Sequence, residues 1–195
     1  PTGAVVQHMD SLVGVLRKKI EALPFGGDIN LIVTSDHGMT DISPERVVNI
    51  NDYVKPEWCE VIDGRTPTSI FSKPEYRDSI CNALKKAAHI RVWKKEEIPA
   101  ELHYGSSDRI GDIVVAPELG WQFTDVARDT KGAHGYFPQS PDMQVMFRAI
   151  GPDFKRGYIS EGFVNVDIYP LLSHLLQIVP EKTDGRFERI KDILR

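Results

Sequence analysis

The sequence predicts an α/β fold with a mainly parallel central sheet flanked by helices. Three observations carry this prediction. Apolar residues at helical spacing both open and close the chain. Short apolar runs rich in β-branched residues lie between them, at 29–34, 68–71 and 110–116. The two kinds of segment alternate, which is the pattern of helices laid on a parallel sheet. At 195 residues, 41% hydrophobic and 27% charged, the chain suffices for one domain or part of a larger one. That composition excludes disordered, collagen-like and disulfide-scaffold classes.

Taken in order, Val5, Val6, Met9, Leu12, Val13, Leu16, Ile20 and Leu23 recur every three or four residues, so a helix burying one face is expected over 5–23. Pro24-Phe25-Gly26-Gly27 ends it. Residues 29–34, Ile-Asn-Leu-Ile-Val-Thr, read as a buried strand of a parallel sheet. Short strands are expected within 47–54 and at 68–71. A helix over 74–88 starts at Pro74, where a missing N–H is tolerated, and turns Ile80, Ala83, Leu84 and Ala87 inward. Strands follow at 110–116 and 120–123, then a loop over 129–140, then a strand within 142–150 closed by Gly151-Pro152. The last helix, 166–178, carries apolar Ile168, Leu171, Leu172, Leu175 and Leu176. No repeat, low-complexity segment or linker interrupts the chain.

Charge narrows the function. With 24 basic against 28 acidic residues the net charge is −4, which is not the basic footprint of a nucleic-acid binder. No apolar run approaches the roughly 18 residues of a membrane helix. Cys59 and Cys81 are too few for a disulfide framework and leave their own pairing open. The chain opens at Pro1, with neither Met nor signal peptide, and reads as an interior piece of a longer protein.

Chemistry concentrates in two places. Asp36-His37-Gly38 follows the 29–34 strand directly, and ligands of open α/β sheets gather beyond the carboxyl ends of strands. Past the strand end, Gly38 lets the backbone turn, so a carboxylate and an imidazole can reach one cation; oxygen and nitrogen donors suit zinc, manganese or iron. The same tripeptide also reads as a polar turn in which Asp36 bonds backbone N–H groups. His134 lies in Gly132-Ala133-His134-Gly135-Tyr136, where small neighbours admit a metal or ligand, or leave an exposed histidine on a loop. His8 and His174 flank apolar helical stripes, His89 follows a helix whose C-terminus it can cap, and His103 sits in a loop. No Gly-x-Ser-x-Gly elbow, Walker loop or dinucleotide glycine fingerprint is present. Ser35 and Thr40 flank Asp36-His37 without an evident activating base.

Asn30-Leu31-Ile32-Val33-Thr34-Ser35-Asp36-His37-Gly38-Met39 resembles a signature of the nucleotide pyrophosphatase/phosphodiesterase family, within the alkaline phosphatase superfamily. The resemblance continues in order through Arg109-Ile110-Gly111-Asp112-Ile113, Gly120-Trp121, the segment around His134, Met143 with Phe147, Gly151-Pro152, Asn165-Val166-Asp167-Ile168-Tyr169, Pro180 and Asp184-Gly185, over nearly the whole chain. It departs after Tyr136, where Phe137-Pro138-Gln139 stands in place of the family's Asp and Asn.

The resemblance implies an alkaline-phosphatase-like sandwich, of which 1–195 is an incomplete C-terminal portion of one catalytic domain. It implies a site for two zinc ions, or other divalent metals, with Asp36 and His37 on one ion and His134 on the other. The nucleophile, a Thr or Ser, and the remaining ligands would lie upstream of Pro1. The expected activity is hydrolysis of phosphodiester or pyrophosphate bonds in a nucleotide or similar small molecule, by in-line displacement. Because the ligands must be deprotonated, metal affinity is expected to fall in acid. The family resemblance also implies a periplasmic or extracellular protein. The alternatives are another enzyme of the superfamily (a phosphomonoesterase, phosphonoacetate hydrolase or phosphoglycerate mutase) or a non-catalytic binding module of the same fold.

Overall fold

A computed structural model of the chain describes residues 2–123 and 131–195. Pro1 and the first two positions of the predicted 129–140 loop lie outside the described residues. The fold is mixed α/β and divides into two compact units, one made of 1–36 with 146–195 and the other of 37–145.

The first unit opens with helix α1, Thr2–Glu21, and strand β1, Leu31–Thr34. It closes with β10, Phe147–Ile150, and helix α3, Ile168–Leu175. β1 pairs antiparallel with β10, Leu31 opposite Ile150 and Thr34 opposite Phe147. Its core gathers Phe154, Leu171, Ile190 and Ile193, with Ile32, Phe147 and Phe163 packed against them. In the same unit, Asp167 is fully buried and accepts from the Arg186 N–H at 2.8 Å and from Nη2 of Arg189 at 2.6 Å.

Two expectations are corrected in this unit. The 5–23 periodicity does make a helix, but no residue of α1 is buried; Val5 is 62% and Met9 54% exposed. Periodicity sets which side chains share a face, whereas burial needs a second apolar surface against that face. Similarly, β1 is only half-buried and runs antiparallel to its partner, so it is not a buried parallel strand. Four apolar residues give the strand but not its direction, which the distant β10 sets.

The second unit is built on strands β4 (Cys59–Gly64), β5 (Thr68–Ser72), β6 (Ile90–Lys94) and β7 (Ile113–Pro117). They form one sheet in the order β4-β5-β7-β6, antiparallel throughout. A short turn from Gly64 into β5 returns the chain directly, which only an antiparallel neighbour allows. All of β7 is buried, as its continuous Ile-Val-Val-Ala-Pro run and its place between β5 and β6 require. β4 and β6 were not expected from the sequence: their polar and charged residues blur any alternation.

Helix α2, Arg77–Leu84, follows a single 3-10 turn at Pro74–Tyr76 and buries Ile80, Cys81 and Leu84 in a core with Ile70, Ile113 and Val115. Cys59 and Cys81 are both free, and burial pushes the Cys59 thiol above its usual range. Two short pairings complete the unit. β3 (Val47–Val48) runs parallel to β8 (Gln122–Phe123), and β2 (Thr40–Asp41) pairs antiparallel with β9 (Gly132–Ala133). Among the described residues β3–β8 is the one parallel pairing, so the mainly parallel sheet inferred from alternation is not what these small sheets show. No helix among the described residues is long and apolar enough to cross a membrane.

Candidate functional site

The β2–β9 pairing organises the chemistry. Thr40 lies opposite Ala133, so the segment that follows His37 is held against the residue that precedes His134. The two imidazoles stack, with ring centroids 3.5 Å apart and planes 10° from parallel. His37 is half-buried and His134 exposed. Nδ1 of His37 lies 2.8 Å from the Gly38 carbonyl. A carbonyl oxygen only accepts, so Nδ1 is the donor in this contact. A backbone carbonyl holding the second ring nitrogen is the usual support of a metal-ligating histidine.

Both histidines sit on tightly packed backbone. The Gly38 N–H donates to the Met143 carbonyl at 3.2 Å and the Met39 N–H to the Asp142 carbonyl at 2.8 Å. A Cβ on Gly38 would stand 1.9 Å from the Asp142 carbonyl oxygen, so no larger residue fits the turn after His37. Gly135, after His134, has φ +91°, and a Cβ there would meet the Thr66 carbonyl oxygen at 2.0 Å. Tyr136 is buried and donates its hydroxyl to the Trp121 carbonyl at 2.8 Å, anchoring the loop; burial pushes its phenol above the usual range.

Asp36 is exposed at the end of the first unit. Its carboxylate accepts from the Ser35 hydroxyl at 3.3 Å, and its backbone carbonyl accepts from Nδ2 of Asn165 at 3.2 Å. No group of three or more His, Cys, Asp or Glu side chains is gathered for a metal among the described residues. The donor chemistry nevertheless suits one. An imidazole ligates along its ring plane, and two nearly parallel planes 3.5 Å apart do not meet on a nearby ion. The pair is therefore not arranged to chelate a single ion through both rings.

The other histidines lie elsewhere. His89 adopts φ +64°, stacks on Trp121 with centroids 3.7 Å apart and bonds Glu118 through Nδ1 at 2.9 Å, rather than capping the helix before it. His103 ends a 3-10 turn in the left-handed region, and His174 stacks on Phe187. Thr40 and Asp142, unremarked as partners in the sequence, bond through Oγ1 and Oδ2 at 2.5 Å. Only the pairing of distant segments reveals them.

Comparison with known proteins places these features in context. The sequence matches the family described as type I phosphodiesterase / nucleotide pyrophosphatase over residues 2–137. It is 34% identical over 192 residues to the Bos taurus bis(5'-adenosyl)-triphosphatase ENPP4, covering 97% of this chain and 42% of that protein. It is 32% identical over 200 residues to the Rattus norvegicus ectonucleotide pyrophosphatase/phosphodiesterase family member 7, covering 98% and 46%. The fold superposes on human ectonucleotide pyrophosphatase/phosphodiesterase 5 with a TM-score of 0.90 at 32% identity, covering 99% of this chain and 52% of that one. An inactive form of the murine member 5, in complex with AMP, matches with the same TM-score at 34% identity. The chain thus spans under half the length of the curated relatives it matches.

Proposed function

The chain belongs to the type I phosphodiesterase / nucleotide pyrophosphatase family, and from that premise we propose that the whole protein hydrolyses a phosphodiester or pyrophosphate bond of a nucleotide. The observation that carries the reading is the His37–His134 stack, two imidazoles held at one place by backbone that tolerates only glycine beside each. The adenine nucleotide bound to the murine relative supports a nucleotide as the substrate class.

In this reading Asp36 and His37 hold one divalent metal and His134 a second, zinc being the ion these donors suit. When bound, such ions supply positive charge to the attacking and leaving oxygens and ready a hydroxyl or water for attack at neutral pH. The chain's own residues do the rest. The Gly38 carbonyl fixes the tautomer and orientation of His37. The near-parallel rings keep the two donors in separate planes. Tyr136 pins the loop behind His134. The attacking Thr or Ser hydroxyl belongs, in this reading, to polypeptide preceding Pro1, and the protein works in the periplasm or outside the cell.

The test is hydrolysis by the purified whole protein. Bis-p-nitrophenyl phosphate should be turned over faster than p-nitrophenyl phosphate, with loss on chelation and recovery with zinc. Preference for the monoester, or turnover indifferent to exhaustive chelation, would overturn the reading.

A further inference from the structure

We propose that Thr40 and Asp142 are positioning residues for the histidine pair, the hydrogen bond between them fixing the backbone on which both rings depend. Thr40 stands at the centre of the arrangement. Its backbone pairs with Ala133, next to His134, and its side chain donates to Oδ2 of Asp142 at 2.5 Å. Asp142 and Met143 in turn accept, through their carbonyls, the N–H groups of Met39 and Gly38, next to His37. Three stretches of chain, 38–40, 133–134 and 142–143, are thereby tied together through one threonine.

Thr40 is 8% exposed, so its hydroxyl has little access to replacement water if Asp142 is removed. Met143 is buried, which keeps the Pro141–Met143 turn in place as the fixed side of the clamp. The space between Gly38 and Asp142 admits no Cβ, so the two segments are already at closest approach. A shift of either moves His37 against His134. The hydroxyl and carboxylate bond one another and act on the rings through the backbone, as supports that keep a metal ligand oriented do. The inference rests on the two-metal reading only for its consequence on metal affinity; the effect on the rings stands apart from it.

The experiment uses the metal-stripped whole protein at fixed pH, with the imidazole resonances of its histidines followed by NMR in Thr40→Val, Asp142→Ala and Thr40→Ser. Removing either partner should move the His37 and His134 resonances together, because the stack that sets their ring-current environment is disturbed. His8, His89, His103 and His174 should stay in place, and Thr40→Ser, which keeps the hydroxyl, should restore the native pattern. In a separate titration, zinc should bind Thr40→Val roughly tenfold more weakly than the parent. The proposal is overturned if both removals leave the two rings unmoved, or if all the histidines move alike, as a general loosening would produce. If Thr40→Val fails to fold, Asp142→Ala, at an exposed residue, decides by the same criterion. A parent protein that binds no zinc would refute the metal reading, and the ring resonances would still judge the positioning.

Discussion

His37 and His134 stack ring on ring, although the whole four-stranded sheet lies between them in the sequence. The contact follows from the pairing of Thr40 with Ala133, which brings together two loops whose other connections run through separate strands. His134 is exposed, and its ring contact in the structure is with His37. His134→Ala in the metal-stripped whole protein should therefore leave the melting temperature within about a degree or two of the metal-stripped parent, the usual range for a surface change. On the two-metal reading proposed above, the zinc-loaded variant should lose most diester hydrolysis and hold one zinc ion fewer than the parent. Metal content by elemental analysis, beside the rate, checks this. Full activity in a variant retaining both ions would remove His134 from the ligand set.

Gly135 separates stability from chemistry at the same loop. Its φ of +91° and the Thr66 carbonyl oxygen in the space a Cβ would need make Gly135→Ala doubly unfavourable. A loss of about 1–3 kcal/mol is expected from strain and overpacking. Urea unfolding should show the midpoint falling with little change in slope, because the surface exposed on unfolding is nearly the same.

The pH dependence of the second unit follows from its ion pairs. Hydrogen bonding from Arg77 holds the Glu96 carboxylate below its usual range, and hydrogen bonding from Lys94 does the same to Asp78. A depressed carboxylate stabilises the fold above its unfolded pKa, near 4, and that contribution is lost as pH falls through the lower folded value. The Lys94 ammonium, raised by Asp78, contributes below its unfolded pKa and is lost only as pH rises through the higher folded one. These side chains lie at the surface, so the effects are small and screened by salt. Thermal melting below about pH 4 should become less acid-sensitive in Glu96→Gln, and the difference should shrink at 1 M salt. An unchanged acid limb would show that the Arg77–Glu96 pair does not report on folding.

How much of this was legible in the residues depends on the distance over which each feature is decided. The α1 stripe and the inward face of α2 are set within a turn and showed in the apolar periodicity, and β7 showed as a strand in its local apolar run, though its full burial was not read there. The partner of β1 is decided by β10 at the other end of the chain, so neither its antiparallel direction nor the half-burial of Val33 was readable in the Ile-Asn-Leu-Ile-Val-Thr run. Strands β4 and β6 were hidden because each is a sheet edge, and edges carry charged residues that break alternation. At the site, Asp36, His37 and His134 stood out by residue type and by their glycine neighbours. Asp142 did not, since its side chain acquires meaning only through its bond to Thr40.

The buried carboxylate of Asp167 gives the sharpest stability prediction. Its side chain is wholly enclosed, and Nε and Nη2 of Arg189 both donate to it, at 2.9 and 2.6 Å. The Arg186 N–H supplies a further bond, so the carboxylate ties the start of α3 to the 187–189 turn. Replacing Arg189 with Met keeps much of the stem's apolar volume but leaves an uncompensated charge in place. Arg189 is itself 42% exposed, so solvent screens part of the loss and the cost falls below the roughly 3–5 kcal/mol of a fully buried pair. Arg189→Met should accordingly be far more damaging than Asp167→Asn/Arg189→Met, in which the charge is removed with its partner, and this inequality is the test. Equilibrium unfolding of the two variants should place the double one closer to the parent. If the single change is tolerated as well as the double, the carboxylate is not electrostatically dependent on Arg189, and the backbone N–H of Arg186 alone suffices to hold it.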